Sequence, residues 1–476
     1  MKTSILIISW KNIWRNRTRS LVVIVAVTLG LIVGMLTVAI MTGWVEQRLN
    51  DAISNEISHI QIHHPDFINN EEIQFTINDL DKLTAVLDTM NGIINYSIRS
   101  KNFAMIRSDW ATTGLVVKGI DLEGEKKISQ LKNYIIEGTY FEKEERLPSI
   151  VIGRKAAEEL KLLNYQIDSI KMKKLDSIEI PGQISLKLES LGSRRYRTEK
   201  QFRHALSTLL TEPEIKKYSQ ILVDHFSFYR LGAKVTITIS DTAKNMIPVT
   251  FRVQGIYKTS NSLFDGMNAF VLQETLLKET GFDHRFVHEI AIVCKNDNQA
   301  IEIANKLKTL FPNQSILSWK EISPDMAYMR DMMKIWDLLY VGIIMFALAF
   351  GIINTMLMAV LERTKELGML MAIGMNRFKV FRMIMYESVF LTLTGALLGM
   401  LLSVVIIALL AKSGINLSMW SEGLEAIGYS AIIYPVITVK NYIDITLLVI
   451  LTGVLAALWP IRKALQLNPA EALRTD

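Results

Sequence analysis

Four stretches of the chain are predominantly apolar, and 292 residues of mixed polarity separate the first from the second. Leu21 to Val45 runs 25 residues without a charge, and Leu338–Leu361, Met383–Ala411 and Ile445–Ile461 follow later. A helix rises about 1.5 Å per residue, so ~17–25 apolar residues cross a hydrocarbon core of ~30 Å. The pattern predicts spans at 21–45, 338–361, 383–411 and 445–461. Beyond the first, Val45, Leu49, Ile53 and Ile57 recur every four residues, which predicts that the helix continues as an amphipathic stalk. Polarity then alternates along His59–His63, Gly114–Gly119, Ile150–Ile152, Val235–Ile239, Val249–Gly255 and Ile290–Val293, as in strands. Helical spacing marks Asn78–Asn91, Arg154–Leu162 and Asn298–Phe311. The expectation is an α+β membrane protein: four transmembrane helices with a large α+β domain, 46–337, inserted between the first two. Ser323-Pro324-Asp325 reads as a helix start, giving the second span a stalk of its own. Residues 164–229, rich in Lys, Arg, Glu and Ser with helical spacing around Thr198–Leu210, look like an insertion in the domain.

Charge adds direction. The net charge is +6, half of the residues are hydrophobic and mean hydropathy is +0.24. The cations gather beside the apolar blocks, which suits a membrane surface; no basic stripe interleaved with aromatics points to nucleic acid. Residues 1–20 combine Lys2, Lys11, Arg15, Arg17 and Arg19 with Trp10 and Trp14, an amphipathic entry helix for cytoplasmic headgroups. The first apolar stretch exceeds the ~7–15 residues of a signal peptide, so it is read as a retained anchor. Between the second and third spans, residues 362–382 carry five cations against two anions; Arg462 and Lys463 follow the fourth. All basic clusters then lie on the cytoplasmic side, both termini (1–20 and 462–476) with them, and the large domain and loop 412–444 lie opposite.

Candidate chemistry is sparse. A phosphate-binding loop needs Gly-Lys within its motif, and the sequence contains no such dipeptide. Cys294 is the sole cysteine, which excludes an intrachain disulfide and a thiolate zinc cluster. His59 and His63 stand too far apart on a strand to chelate readily and are read as ordinary polar positions. Glu387, the one charge in the third span, is expected to pair with Arg382. Gly395 and Gly399 allow a close helix approach. Met326, Met329, Met332 and Met333 give a polarizable surface that suits either helix packing or a greasy ligand.

Glu362–Phe381, ERTKELGMLMAIGMNRFKVF, resembles the segment joining the second and third spans in permease subunits of the macrolide-exporter and lipoprotein-releasing class of ABC transporters, the FtsX-like family. Glu362, Arg363, Glu366, Leu367, Gly368, Leu370, Ala372, Ile373 and Gly374 match its pattern; Met371 replaces a usual basic residue. Trp10–Ser20 is similar to the family's entry helix, Asn468–Arg474 to its C-terminal motif, and Val151–Leu162 with Leu231–Ile239 to its periplasmic domain. About 68 residues intervene between those last two segments, where the family has almost none. The resemblance implies a multi-pass inner-membrane permease with a periplasmic domain, acting by mechanotransmission. It implies a partner ATPase subunit dimer that carries ATP and magnesium, with no cofactor on this chain. The coupling helix at 362–382 would seat that ATPase through Glu362, Arg363, Glu366, Leu367, Gly368, Leu370, Ala372 and Gly374. A second permease copy or a paralogue would complete the dimer. Met41–Phe67 looks more like the lipoprotein-releasing branch. On that reading Val45, Leu49, Met326, Met329 and Met333 line a path for acyl chains of a lipid or lipoprotein passing to a periplasmic carrier or adaptor. Mechanical activation of a cell-wall hydrolase and efflux of hydrophobic drugs or peptides stay open beside it.

Overall fold

The computed structural model describes residues 2–15, 17–141, 148–172, 175, 180–240, 245–283 and 286–466; the resemblance at Asn468–Arg474 lies outside them. The chain divides into two compact units. One comprises Met1–Arg48, Tyr328–Met419 and Ala431–Asp476, and the other Leu49–Ala327 and Trp420–Ser430.

The first unit is a helical membrane bundle. An entry helix, Lys2–Arg15, precedes four long helices: Arg17–Ala52, Pro324–Glu362, Arg377–Ser413 and Val439–Leu465. Each is long and apolar enough to cross a membrane. Pro324 opens the second, as its fixed φ favours at a helix start. Val27, Leu31, Met35, Ile352, Leu391, Val449 and Ala457 fill the bundle interior, while Phe346, Phe350, Leu397, Leu401 and Leu455 stay exposed. Apolar residues on both faces are what lipid rather than water permits. Gly395 and Gly399 lie against the first long helix: a Cβ at Gly395 would stand 2.8 Å from Val27 Cβ and 2.9 Å from the Ile24 carbonyl. The Thr28 hydroxyl donates to the Gly395 carbonyl at 3.1 Å. Such an approach requires glycine.

In the second unit ten strands, among the described residues, form one sheet. In spatial order they are β13 (Ser315–Ser318), β1 (Ile60–His63), β12 (Glu289–Cys294), β2 (Ile93–Arg107), β3 (Thr112–Ile120), β11 (Asn268–Leu272), β5 (Ser149–Gly153), β10 (Met246–Tyr257) and β4 (Ile135–Gly138), with β9 (Lys234–Ser240) pairing both β10 and β2. The double pairing of β9 joins β2, β3, β11, β5, β10 and β9 into a closed barrel, which removes those sheet edges. Alternate residues point inward: Ile106, Leu115, Val117, Ile152, Ile237, Phe251 and Val253 form its core. Strands β13, β1 and β12 carry helices Leu80–Thr89 and Asp297–Leu310 over a separate core around Ile60, Leu83, Ile292, Leu307 and Trp319. All six alternating segments read from the sequence are strands here.

The insertion is a subdomain. Its ends meet where β6 (Leu163–Gln166) pairs with β8 (Ser227–Tyr229), and β7 (Arg195–Tyr196) adds to β6. Phe202, Leu206, Leu222 and Phe226, all fully buried, anchor a core of its own. Thr211 and Glu214 cap its longest helix reciprocally, a capping box.

Candidate functional site

The segment between the second and third long helices is not one helix over 362–382. The second helix ends at Glu362, a nine-residue connector helix covers Thr364–Ala372, and the third begins at Arg377. Gly374 makes the break. At φ +99 it takes a conformation that L side chains rarely adopt. Its N–H donates to the Met371 carbonyl at 3.1 Å, and Met375 N–H donates to Leu370 at 3.0 Å. These two bonds complete a Schellman motif. Asn376 then caps the next helix by accepting from Phe378 N–H at 3.1 Å.

The connector helix has two faces. Leu367 and Gly368 are buried, and Arg363, Leu370 and Met371 are half-buried. Glu362, Glu366, Ala372 and Gly374 are exposed. Of the eight residues expected at a partner seat, only those last four present themselves outward. The expected seat left out the outward apolar residues Met369, Ile373 and Phe378, which are 53%, 79% and 63% exposed, although Ile373 was among the matched positions. The i, i+4 spacing of Met369 and Ile373 was the available signal.

Ion pairs fix this helix to its neighbours. Arg363 Nη1 donates to both carboxylate oxygens of Glu387, at 3.2 and 3.3 Å, and its Nε donates to Glu366 at 3.1 Å. Arg15 of the entry helix also pairs with Glu366. The bond from Arg15, with Arg363 adding to it, holds the Glu366 carboxyl below its usual range. Arg382, expected to neutralise Glu387, instead donates to the Tyr386 hydroxyl at 3.0 Å and lies over the Phe378 and Tyr386 rings. On the helix that carries both, Tyr386 is Arg382's i+4 neighbour, whereas Glu387 is turned toward Arg363.

The five residues expected to line a cargo path divide between the units. Leu49 and Met326 pack into the core of the extramembrane unit. In the membrane unit Val45 and Met333 are half-buried and Met329 is exposed. That unit also holds a groove of about 580 Å³. Leu338, Val341, Ile445 and Leu448 give it apolar walls, and Lys334, Asp337, Lys440 and Asp444 line it with charge. The extramembrane unit has a cleft of about 730 Å³ where Lys258 meets Glu425 at 2.7 Å. Asp265 lies in its wall, accepting from the Thr259 N–H and hydroxyl, and burial pushes its carboxyl up to about 7. His59 and His63 take structural roles: His59 meets Asp297 at 3.3 Å, and His63 sits between Gln61 and the His288 carbonyl. Among the described residues, no group of three or more His, Cys, Asp or Glu is placed to hold a metal ion.

Residues 338–469 match the family described as FtsX-like permease C-terminal. This part of the chain is similar to the permease domain of that family. Over 126 residues, 26% of the chain, it is 35% identical to the macrolide export ATP-binding/permease protein MacB of Chlorobium luteolum, of which it covers 16%. An uncharacterized ABC transporter permease of Methanocaldococcus jannaschii is 27% identical over 48% of the chain and 55% of that protein. The probable syringafactin export ATP-binding/permease protein of Pseudomonas syringae is 26% identical over 54% of the chain and 38% of that protein. The chain thus spans under a fifth of the MacB relative and about half of the archaeal permease. Among solved structures, the periplasmic region of MacB from Actinobacillus actinomycetemcomitans aligns with 59% of the chain at 10% identity and a TM-score of 0.29. The matched segment begins within the second long helix, so the connector and the pairs of Arg363 with Glu366 and Glu387 lie inside it, while Arg15 of the entry helix lies outside.

Proposed function

We propose that the chain is the permease subunit of an ABC transporter, driven by a separate ATPase dimer that binds ATP and magnesium and seats on the connector helix. The observation that carries this reading is the outward apolar pair Met369 and Ile373 on a connector anchored by Arg363–Glu387 and Arg15–Glu366. A load applied at that pair moves the entry helix and the second and third helices together. ATP binding does work there because the ATPase holds the connector differently in its open and closed states. A second copy or a paralogue faces this chain across the dimer. The connector lies in the cytoplasm, and the barrel unit lies outside the inner membrane.

The cargo proposed is amphiphilic, a lipid or lipoprotein released from the outer leaflet to a periplasmic carrier. Support comes from the groove, whose apolar walls suit an acyl chain and whose mixed charges suit a headgroup. A second reading, export of smaller amphiphiles through an adaptor, draws on relatives named for macrolide, syringafactin and pyoverdine export. One variant set tests the coupling. Met369→Asp and Ile373→Asp are expected to abolish permease-dependent ATP hydrolysis while unfolding temperature stays put, because both positions are exposed. Undiminished hydrolysis would place the seat elsewhere. Photo-crosslinking of acyl probes at Leu448, compared with outward Leu397, separates cargo from bulk lipid; equal labelling counts against the groove.

A further inference from the structure

The charges of one buried cluster in the extramembrane unit do not balance. Lys101 of β2 and Lys118 of β3 stand directly opposite each other on the outer face of the barrel. Arg99, two residues before Lys101, is held by both oxygens of Glu125 at 2.8 and 2.9 Å and by Glu289 at 2.8 Å. Lys101 pairs with the other oxygen of Glu289. Two carboxylates therefore serve two cations. Lys118, only 5% exposed, makes no close ion pair and no hydrogen bond among the described residues, and Glu289 and Glu125 attract it only from beyond ion-pair distance. Its Nζ lies 4.9 Å from the Phe264 ring centroid and 5.6 Å from that of Phe270. Like charges across a strand pair and an unpaired buried ammonium are both unfavourable. Burial, with Lys101 next, pushes the Lys118 amine down to about 7.

Both lysines line a cavity of about 200 Å³, together with Asn102, Asn268, Phe67 and Phe103, and with exposed Glu71. At ~30 Å³ per water this volume corresponds to roughly seven waters, too little for a nucleotide or a lipid. We propose that this cavity binds a small oxyanion, either a carboxylate with a short apolar tail or inorganic phosphate, held by Lys118 and Lys101. The anion supplies the missing countercharge, and Phe67 and Phe103 accept the tail. Nothing in this site depends on the transport reading.

Calorimetric titration of the full chain in nanodiscs with phosphate, acetate and butyrate tests it. Saturable binding is expected, about 10- to 100-fold weaker in Lys118→Met, the range for losing one charge-assisted hydrogen bond. Glu71→Gln should bind at least as tightly as the parent, since it removes a competing carboxylate. Butyrate above acetate identifies a tailed carboxylate, and binding of phosphate alone identifies phosphate. A second readout needs no variant: acetylation of Lys118 by acetic anhydride, followed by peptide mass spectrometry, should fall when the anion is present while exposed Lys82 reacts as before. Absence of saturable binding, equal affinity in Lys118→Met, or unprotected Lys118 overturns the proposal.

Discussion

Replacing Arg363 with methionine removes the two hydrogen bonds that the Glu387 carboxylate accepts from its guanidinium in the membrane unit. The Arg363 and Glu387 side chains are 13% and 11% exposed, so the pair is close to fully buried. Removing one partner of a buried pair costs about 3–5 kcal/mol, and the small residual exposure here argues for about 3. The bond from Arg363 to Glu366 adds less than about 1 kcal/mol, since Glu366 is 48% exposed and keeps Arg15. For a unit of this size a loss of that order lowers the unfolding temperature by roughly 6–12 °C. The double variant Arg363→Met/Glu387→Leu removes both charges and should recover most of the loss, because a well-packed apolar pair commonly replaces a buried ion pair without penalty. Arg382→Met, which loses contacts with the Tyr386 hydroxyl and with the Phe378 and Tyr386 rings, should cost about 1 kcal/mol or less. Thermal unfolding in nanodiscs, followed by fluorescence, reads all three. If Arg382→Met is the more damaging single change, or the double variant is no better than Arg363→Met, the pairing described above is refuted.

Gly395→Leu forces a side chain into Val27 and the Ile24 carbonyl and should destabilise the bundle by about 1–3 kcal/mol or more. Gly342→Ala, with open space around its Cβ position, should instead gain about 0.4–1 kcal/mol; both are read by the same unfolding assay. Acid should loosen the strands around His63 and His288, each held by burial near a pKa of about 4 rather than 6.5. These rings are neutral in the fold and take up protons on unfolding, so stability is full above pH 6.5 and falls as pH drops toward 4. The loss is on the order of 3 kcal/mol per ring. Hydrogen exchange of β1 and β12 amides, corrected for intrinsic rates, should show the decline, and His63→Gln should flatten it; a pH-independent parent contradicts this origin.

The membrane helices were readable because lipid demands apolar residues on every face, which leaves an unmistakable run. The half-exposed strands were readable through alternation. The fifteen-residue β2, the strand that joins the barrel to the flanking sheet, was not. Arg99 is fully buried in it where a strand pattern calls for an apolar residue, and its partners Glu125 and Glu289, 26 and 190 positions away, make such burial tolerable. The Glu387 partner was missed for a related reason. Arg382 is nearer in sequence, but Arg363 is brought alongside by the chain reversal at Gly374, which no local pattern encodes. At the connector, the matched residues marked the right segment without distinguishing its faces. Burial of Leu367 and Gly368 comes from packing against the bundle, and so the outward role fell to Met369 and Ile373.

Cys294 is buried, and burial pushes its thiol up to about 12, so a cysteine placed at the connector becomes the reactive one. Ile373→Cys offers the most direct examination of the coupling claim: crosslinking in intact cells with a membrane-permeant thiol reagent, beside a charged impermeant maleimide. The account predicts a crosslink to a nucleotide-hydrolysing polypeptide and no reaction with the impermeant reagent until the cells are opened. Labelling of Ile373→Cys from outside the membrane, or crosslinks that never include an ATPase, would contradict it.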